Sequence, residues 1–465
     1  MPRKSSLHFE ISERKVLLRI FDVVWVLFTL YVVGILFNLE YFSISTEFWH
    51  WSIVLAVYLS LFSNIFELYD LQKASKYYTV LKNVILASSV TVLFFLLTPV
   101  LTPVLPENRL QIIYFYLGIM ATMLVWRFAY IALISSPIFY RRVMIVGEPQ
   151  EVELIAAQLQ QVDPNYNILG YINPGGEDLR VSSDHLKFKK FSSKDLRKTL
   201  KKEAIDEVLI SGINPSASDP GLYREIMQLI RDGFPVKDYN QVYEEKTYRI
   251  PVQHIEKNFY KLFPFSRSND NKFYLFFHRT ADIIVAVMGL FVGMLLVPFI
   301  FLGNLIGNRG RLFYRQERVG RHGKRFQMLK FRTMIYDAEA NGAQWAQKND
   351  IRVTRFGKFL RRARLDEFPQ FWNILKGEMS LIGPRPERPV FVKELAQAIP
   401  FYDTRHFIKP GLTGWAQVMG DYGNSHADSL EKLQYDLYYI KHRNVFLDIT
   451  IMSKTLSTII FFRGQ

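Results

Sequence analysis

Residues 283–306 read IIVAVMGLFVGMLLVPFIFLGNLI, a run long and apolar enough to cross a bilayer as one helix. Its flanks argue otherwise. Lys261, Arg267, Lys272 and Arg279 precede it, and Arg309, Arg311, Arg315 and Arg318 follow it. Basic residues on both sides favour both ends lying in the cytoplasm. Pro298, deep in the run, lacks a backbone donor and can break the helix, while Gly289 and Gly293 ease close packing. The pattern predicts a re-entrant helix over about 275–306, broken at Pro298, that dips into the membrane and returns, its break sheltered by protein. The alternative is a Pro-kinked spanning helix that places everything after it outside the cell.

Composition agrees with a membrane location. The 465-residue chain is 49% hydrophobic and 15% aromatic, yet carries a net charge of +15. That combination suits a membrane-anchored protein with a basic cytoplasmic face. The absence of Cys excludes disulfides, thiolate catalysis and cysteine-ligated metals. Four apolar stretches, 17–36, 51–68, 84–105 and 110–134, each approach the ~20 residues that a spanning helix needs. The first lacks a small-residue cleavage site, so it reads as a span and not as a signal peptide. Arg3, Lys4, Arg14 and Lys15 precede the first stretch, Lys73, Lys76 and Lys82 lie between the second and third, and Arg141 and Arg142 follow the fourth. Both ends of this four-helix unit are therefore expected in the cytoplasm.

From Arg142 the pattern changes. Val143 to Val146 is a buried strand ending at Gly147, and an amphipathic helix follows over 149–161. Residues 168–172, 207–211 and 236–239 read as further short strands, with a helix near 220–232, which argues a parallel α/β domain. A dinucleotide site needs G-x-G-x-x-G after the first strand, and only Gly147 is present, before Glu148 and Pro149. A structural or regulatory role is expected for this part. The fold class is thus a multidomain membrane protein. A four-helix transmembrane unit fills 1–140 and a Rossmann-like α/β domain fills 141–265. A mostly helical cytoplasmic domain with few strands, opened by the re-entrant helix, fills 266–465.

The chemistry concentrates in the last part. Residues 307–365 hold sixteen Lys and Arg against four acids, a density that calls for phosphate-rich partners. Nucleic acid is the weakest candidate, because the patch adjoins a membrane segment and has no recognisable reading module. Arg361-Arg362-Ala363-Arg364-Leu365-Asp366-Glu367-Phe368-Pro369 sets two adjacent acids after three arginines. A helix is expected from about Glu367 to Lys376, with Asp366 as its N-cap and Gly377 at its stop. There the helix dipole would keep a carboxylate ionised, hold a metal or bind a phosphate. Lys330 and Arg332 lie two apart in Lys330-Phe331-Arg332-Thr333-Met334, on one side of an extended strand. Arg385 sits between Pro384 and Pro386, which presents its guanidinium with little ordering cost.

Together with Gln316-Glu317-Arg318-Val319-Gly320, Gln370 and the Lys409–Val418 stretch, these motifs resemble the bacterial sugar transferase family, the monotopic phosphoglycosyl transferases that begin exopolysaccharide and capsule synthesis. The resemblance is dense from about 275 to 465, and the four N-terminal spans with a Rossmann-like domain are similar to its long members. One departure is Gly310-Arg311-Leu312, where the family commonly has Gly-Pro. The resemblance implies a UDP-sugar substrate and Mg²⁺, with Glu367 as metal ligand. It implies Asp366 as a nucleophile that forms a phosphosugar-aspartyl enzyme, releases UMP and passes the group to undecaprenyl phosphate. Arg385, Arg361, Lys330 and Arg332 would neutralise phosphoryl charge, while Arg362 and Arg364 would serve the membrane surface. It further implies a multi-pass protein of the bacterial inner membrane with a cytoplasmic catalytic domain, working beside polysaccharide assembly machinery. A homodimer through the N-terminal regions is also expected.

Other residues invite roles of their own. His278, Arg279 and Asp282 at the mouth of the re-entrant helix would either snorkel or meet a lipid phosphate. His406 and His442 lack metal-ligand spacing and read as structural. Residues 435–439 and the apolar stretch 445–462 read as interfacial anchors. Two other functions remain: a non-catalytic membrane scaffold, and a membrane nucleotide-sugar dehydratase or epimerase. The second needs a glycine-rich NAD turn, which is missing, and a Tyr-x-x-x-Lys pair, which Tyr78 and Lys82 form in an inter-helix loop.

Overall fold

The computed structural model describes residues 11–37, 49–70, 76–134, 141–163, 166–174, 188–192, 196–211, 220–252, 267–308, 310–335, 350–420 and 425–460, with a few single positions between them. The chain divides into two compact units, Met1–Thr247 and Tyr248–Gln465.

The first unit opens with helices α1 (Ile11–Phe37), α2 (Trp49–Ile65), α3 (Tyr77–Leu97) and α4 (Leu110–Ile134). Lys15–Phe37, Tyr77–Leu97 and Leu110–Ala132 are long and apolar enough to cross a membrane, whereas Trp49–Ile65 is shorter. The third helix starts earlier than its apolar stretch and stops at Leu97, because Thr98 precedes Pro99 and a residue before proline avoids helical backbone. Helix α1 packs against α2 and α4, and α3 packs against α2 and α4. Val16, Ile20, Val24, Phe28, Tyr31 and Ile35 form an exposed apolar stripe on α1, while Leu18, Asp22, Val26 and Leu30 face inward. Asp22 is fully buried and pairs with Arg127 of α4, which also donates to the Leu68 carbonyl at 2.8 Å.

Next comes a five-stranded parallel sheet in the order β3-β2-β1-β4-β5, built from Arg141–Val146 (β1), Tyr166–Ile172 (β2), Lys189–Lys190 (β3), Glu207–Ile210 (β4) and Val236–Asp238 (β5). Helices Pro149–Val162 (α5) and Tyr239–Thr247 (α8) cover one face through Val152, Ile155, Leu159 and Val242. Helices Leu196–Lys202 (α6) and Pro220–Arg231 (α7) cover the other through Leu196, Leu200, Ile226 and Leu229. Alternate residues of β1 face the two sides, Val143 and Ile145 one way and Met144 and Val146 the other. The strand order reverses direction between β1 and β4, where such folds open a crevice. Here Gly147 fills that place tightly, since a Cβ on it would lie 3.2 Å from Ser211 Cβ.

The second unit is organised on one long helix, Lys272–Gly307 (α9), whose N-cap Asn271 accepts from the backbone N–H of Phe273 and Tyr274. Against expectation the helix continues through Pro298, which lies inside it. Loss of one backbone donor does not by itself end a helix, and one face of the turns around Pro298 packs on protein at Gly293, Ile300 and Gly303. The rest of the unit lies along α9. Arg279 donates to the carbonyls of Ile374 and Leu375 at 2.7 and 2.8 Å. Asp282 accepts from Leu381 N–H at 2.8 Å and Ser380 Oγ at 3.0 Å. A Cβ at Gly289 would lie 2.4 Å from the Phe371 ring, and one at Gly303 would lie 2.3 Å from Phe356. At the far end Asn308 Nδ2 donates to the Arg332 carbonyl at 2.6 Å. Arg279 and Asp282 thus fasten the helix to the body and spend their bonds there, while His278 lies 3.8 Å from Asp448.

Around α9 stand an antiparallel hairpin, Phe313–Val319 (β6) with Arg325–Phe331 (β7), and a short parallel pair, Ser380–Ile382 (β8) with Gly411–Thr413 (β9). Helices Arg355–Arg362 (α10), Gln370–Lys376 (α11), Pro389–Ala398 (α12), Trp415–Met419 (α13), His426–His442 (α14) and Val445–Ile460 (α15) complete it. The core joins Ile374, Met379, Leu381, Leu395, Trp415, Leu433, Leu437 and Ile451 with Ile250 and Val252. Because Tyr248–Val252 packs into this core, the junction between units falls at Thr247/Tyr248, ahead of the boundary near 265 read from the sequence. On α15 Val445, Phe446, Ile449, Leu456 and Ile459 are exposed while Ile451 and Ser457 are buried, so the helix turns an apolar face outward.

Candidate active site

Three chain segments converge on Glu367. The first is the β6–β7 hairpin, where cross-strand pairing sets Tyr314 opposite Lys330 and keeps Lys330 in the ladder. Its ammonium lies 3.3 Å from Glu367 Oε1. The second is the turn that carries the acids. Arg364 adopts left-handed backbone (φ 56°), and a 3₁₀ turn, Leu365–Glu367, follows. Helix α11 begins only at Gln370 with Pro369 as N-cap, so Asp366 is not the N-cap that the sequence suggested. Proline has no N–H, so Pro369 cannot donate to the Leu365 carbonyl, which takes Phe368 N–H at 3.3 Å instead. Gly377 does stop α11, in left-handed backbone at φ 81°. The third segment is the loop after β8, from which Arg385 Nη2 donates to Glu367 Oε1 at 3.0 Å.

Asp366 and Glu367 are both buried, at 6% and 8% exposure, yet their surroundings treat them oppositely. Burial alone would raise the Glu367 carboxyl. The charges of Arg385, Lys330 and Arg364 outweigh it and hold Glu367 well below the usual carboxylate range. Burial, then the neighbouring charge of Glu367, pushes Asp366 up to about 6 against the pull of Lys330, Arg361 and Arg385. What reaches Asp366 from these cations is charge across a short distance, with no hydrogen bond among its main influences. One carboxylate is clamped; the other is left uncommitted. Lys330 and Arg361 are both pushed down by burial, which the acids partly offset.

The other expected cations divide. Arg361 donates from Nε to Thr333 Oγ1 at 2.9 Å, and its charge acts on Asp366. Arg332 is not brought to the acids. Its guanidinium donates to the carbonyls of Arg311 at 2.8 Å and of Asn308. The unpaired carbonyls at the end of α9 draw it away. Gly310 beside it stands at φ 130°, where a Cβ would lie 2.8 Å from Arg332 Nη2.

Arg364, expected at the membrane surface, instead reaches Glu367 Oε2 at 3.4 Å. Two residues given no role by the sequence reading also belong here. Arg318, which follows Tyr314 and Gln316 on one face of β6, donates to the Pro386 carbonyl at 3.0 Å and pairs with Glu387 at 3.4 Å. Burial pushes its guanidinium down to about 10. Arg405, behind the loop, holds the Arg385 carbonyl at 3.0 Å. Strand alternation was the available signal for Arg318. His406 lies beside Arg405, and burial followed by that charge pushes its imidazole down to about 4, which fits a structural part.

A hard divalent cation wants oxygen ligands and keeps several waters. Among the described residues no group of three His or acidic side chains could hold a metal alone. Asp366 and Glu367 supply two carboxylates of the kind Mg²⁺ takes. Both Glu367 oxygens already face cations, so Glu367 would have to release one of them to hold the ion jointly with a bound diphosphate.

This part of the chain is similar to known proteins. The model of the bacterial sugar transferase family matches residues 273–462. The UDP-N-acetylgalactosamine-undecaprenyl-phosphate N-acetylgalactosaminephosphotransferase of Aeromonas hydrophila is 41% identical over 229 residues, 49% of this chain and 52% of its own length. The UDP-glucose:undecaprenyl-phosphate glucose-1-phosphate transferase of Xanthomonas campestris pv. campestris is 43% identical over 175 residues, 37% of this chain and 36% of its own. The chain thus spans about half or less of these two relatives. A Bacillus subtilis (strain 168) relative, provisionally named an undecaprenyl-phosphate N-acetylgalactosaminyl 1-phosphate transferase, is 46% identical over 141 residues, 30% of this chain and 79% of its own length. The clamped Glu367, the free Asp366 and the arginine loop all lie inside the matched region, and the chain belongs to the bacterial sugar transferase family.

Proposed function

We propose that the protein transfers a sugar-1-phosphate from a UDP-sugar to undecaprenyl phosphate, releasing UMP, as the first membrane step of a surface polysaccharide. The observation that carries this reading is the split pair. Glu367 is bonded to three cations, while Asp366, beside it, is buried and without such partners among the described residues. An oxygen of Asp366 attacks the phosphorus that bears the sugar. The bond from that phosphorus to the bridging oxygen breaks, and UMP leaves with the electron pair. A phosphate oxygen of the lipid then attacks the same phosphorus, breaks its bond to Asp366 and restores the carboxylate. Lys330, Arg361 and Arg385 neutralise charge on the phosphoryl oxygens. Glu367, with Asp366, would hold Mg²⁺, which when bound supplies further neutralisation of the diphosphate.

The grip on α9 supports a cytoplasmic site at the membrane surface. A straight 36-residue helix is about 54 Å long, well beyond the ~30 Å of hydrocarbon. The unit holds α9 at Arg279 and Asp282, at Gly289, and again at Gly303 and Asn308, so both ends stay with one body. Held to one body at both ends, α9 would stay with that body on one side of the bilayer; a crossing helix would carry part of the body through it.

The relatives differ in sugar, so the substrate is tested as a panel of UDP-sugars with undecaprenyl phosphate and Mg²⁺ in lipid nanodiscs. UMP release that needs the acceptor and vanishes in Asp366→Asn is the expected result. No UMP from any of them would favour the scaffold reading.

A further inference from the structure

The loop that carries Arg385 is pinned at four successive carbonyls, Pro384 to Glu387. Gly383 N–H donates to the Thr413 carbonyl, and Gly411 N–H donates to that of Pro384. The Pro386 carbonyl takes Arg318 Nη1, and that of Glu387 takes Val319 N–H at 2.9 Å. Between them the Arg385 carbonyl accepts from the side chain of Arg405, Nη2 at 3.0 Å. Prolines on either side remove two backbone donors that might have served this loop. Arg405 itself is 6% exposed and points its donors away from the acids. They go to Arg385, to Asp436 Oδ2 at 2.8 Å and to Tyr402 hydroxyl at 2.5 Å. Asp436, on α14, is 1% exposed.

Burying a charged pair this deeply brings little net stability over an apolar substitute. Its geometry, by contrast, is specific: one planar guanidinium, on the 3₁₀ turn Tyr402–Phe407, ties that turn to helix α14 and to the carbonyl of Arg385. We propose that Arg405, held by Asp436 and Tyr402, is the positioning residue that sets the Arg385 guanidinium on Glu367 and on the diphosphate of the sugar donor. This rests on the transferase reading above. Lysine cannot replace it, because a single ammonium cannot span the same three oxygens in a plane.

A double-mutant cycle tests the idea on the full-length protein in nanodiscs, with UMP release as the rate and thermal unfolding as the folding control. Arg405→Lys should lower kcat/KM by about 100-fold, the cost of a misplacement near 1 Å. In an Arg385→Ala background the same change should cost less than about threefold, because its route to the reaction is already gone. Should Arg405→Lys fail to fold, Tyr402→Phe carries the same cycle with a smaller loss that also disappears in Arg385→Ala. Equal losses in both backgrounds, or no loss in either, overturn the positioning role. A native protein that releases no UMP overturns the transferase reading, and this inference with it.

Discussion

Arg385 donates from Nη2 to Oε1 of Glu367 across 3.0 Å, and the same oxygen takes the Lys330 ammonium at 3.3 Å. The second oxygen meets Arg364 at 3.4 Å. Three cations on one carboxylate keep it ionised at any physiological pH, and its fixed charge in turn raises Asp366 next to it. Two chain neighbours thus acquire separate tasks from their surroundings.

The pH profile should show this. Asp366 attacks only as a carboxylate, and burial with the Glu367 charge puts it up to about 6. The value of kcat/KM should rise as pH increases through that region and then level off. Arg361→Gln removes a favourable charge, raises Asp366 further and should move the limb to higher pH. UMP release measured across pH for both proteins decides it; a limb that ignores Arg361 contradicts the assignment.

Packing against α9 supplies the second prediction. A side chain at Gly289 would enter the Phe371 ring, five residues beyond Asp366. Gly289→Val should cost about 1–3 kcal/mol and displace the turn, with a large loss of rate. Phe371→Ala added to it opens room and should recover part of the activity. Thermal unfolding and UMP release on both variants check this, and a double variant no better than the single one argues against the contact.

Much of this was legible beforehand. The apolar stretches, the parallel sheet and the Asp366, Glu367, Lys330 and Arg385 quartet follow from hydropathy, strand pattern and motif. Other features depend on long-range partners. Arg364 reaches Glu367 because its own backbone turns left-handed, which no local pattern announces. Arg332 shares a strand side with Lys330 by alternation, yet the carbonyls of Asn308 and Arg311 capture it. The Arg405–Asp436 pair spans thirty-one residues, and the Asp22–Arg127 pair over a hundred. Tyr248–Val252 joins the core of the second unit through Ile250 and Val252, two apolar residues in a stretch read from the sequence as part of the Rossmann-like domain.

Arg332 should therefore behave as a fastening. Arg332→Gln leaves the carbonyls of Asn308 and Arg311 short of donors, at about 1–3 kcal/mol for each buried group. Melting should fall while the KM for UDP-sugar in the folded protein stays as in the native chain. A raised KM with unchanged melting would return Arg332 to the phosphate site.

In the helical unit, removing one partner of the Asp22–Arg127 pair should be worse than removing both. Asp22→Leu strands a buried guanidinium and should cost about 3–5 kcal/mol, whereas Asp22→Leu with Arg127→Leu should be markedly milder. Thermal unfolding in detergent separates the two. Equal or greater damage in the double variant would show that the Arg127 bond to the Leu68 carbonyl matters more than the pair.

The central claim is that Asp366 forms a covalent bond to the transferred phosphorus. The most direct measurement incubates purified protein with a UDP-sugar radiolabelled on its sugar-linked phosphate, with Mg²⁺ and no lipid acceptor. Label should appear on the native chain, be absent from Asp366→Asn, and be discharged when undecaprenyl phosphate is added. Release of UMP with acceptor, but no label on the native protein without it, would contradict the covalent step and leave direct transfer in its place.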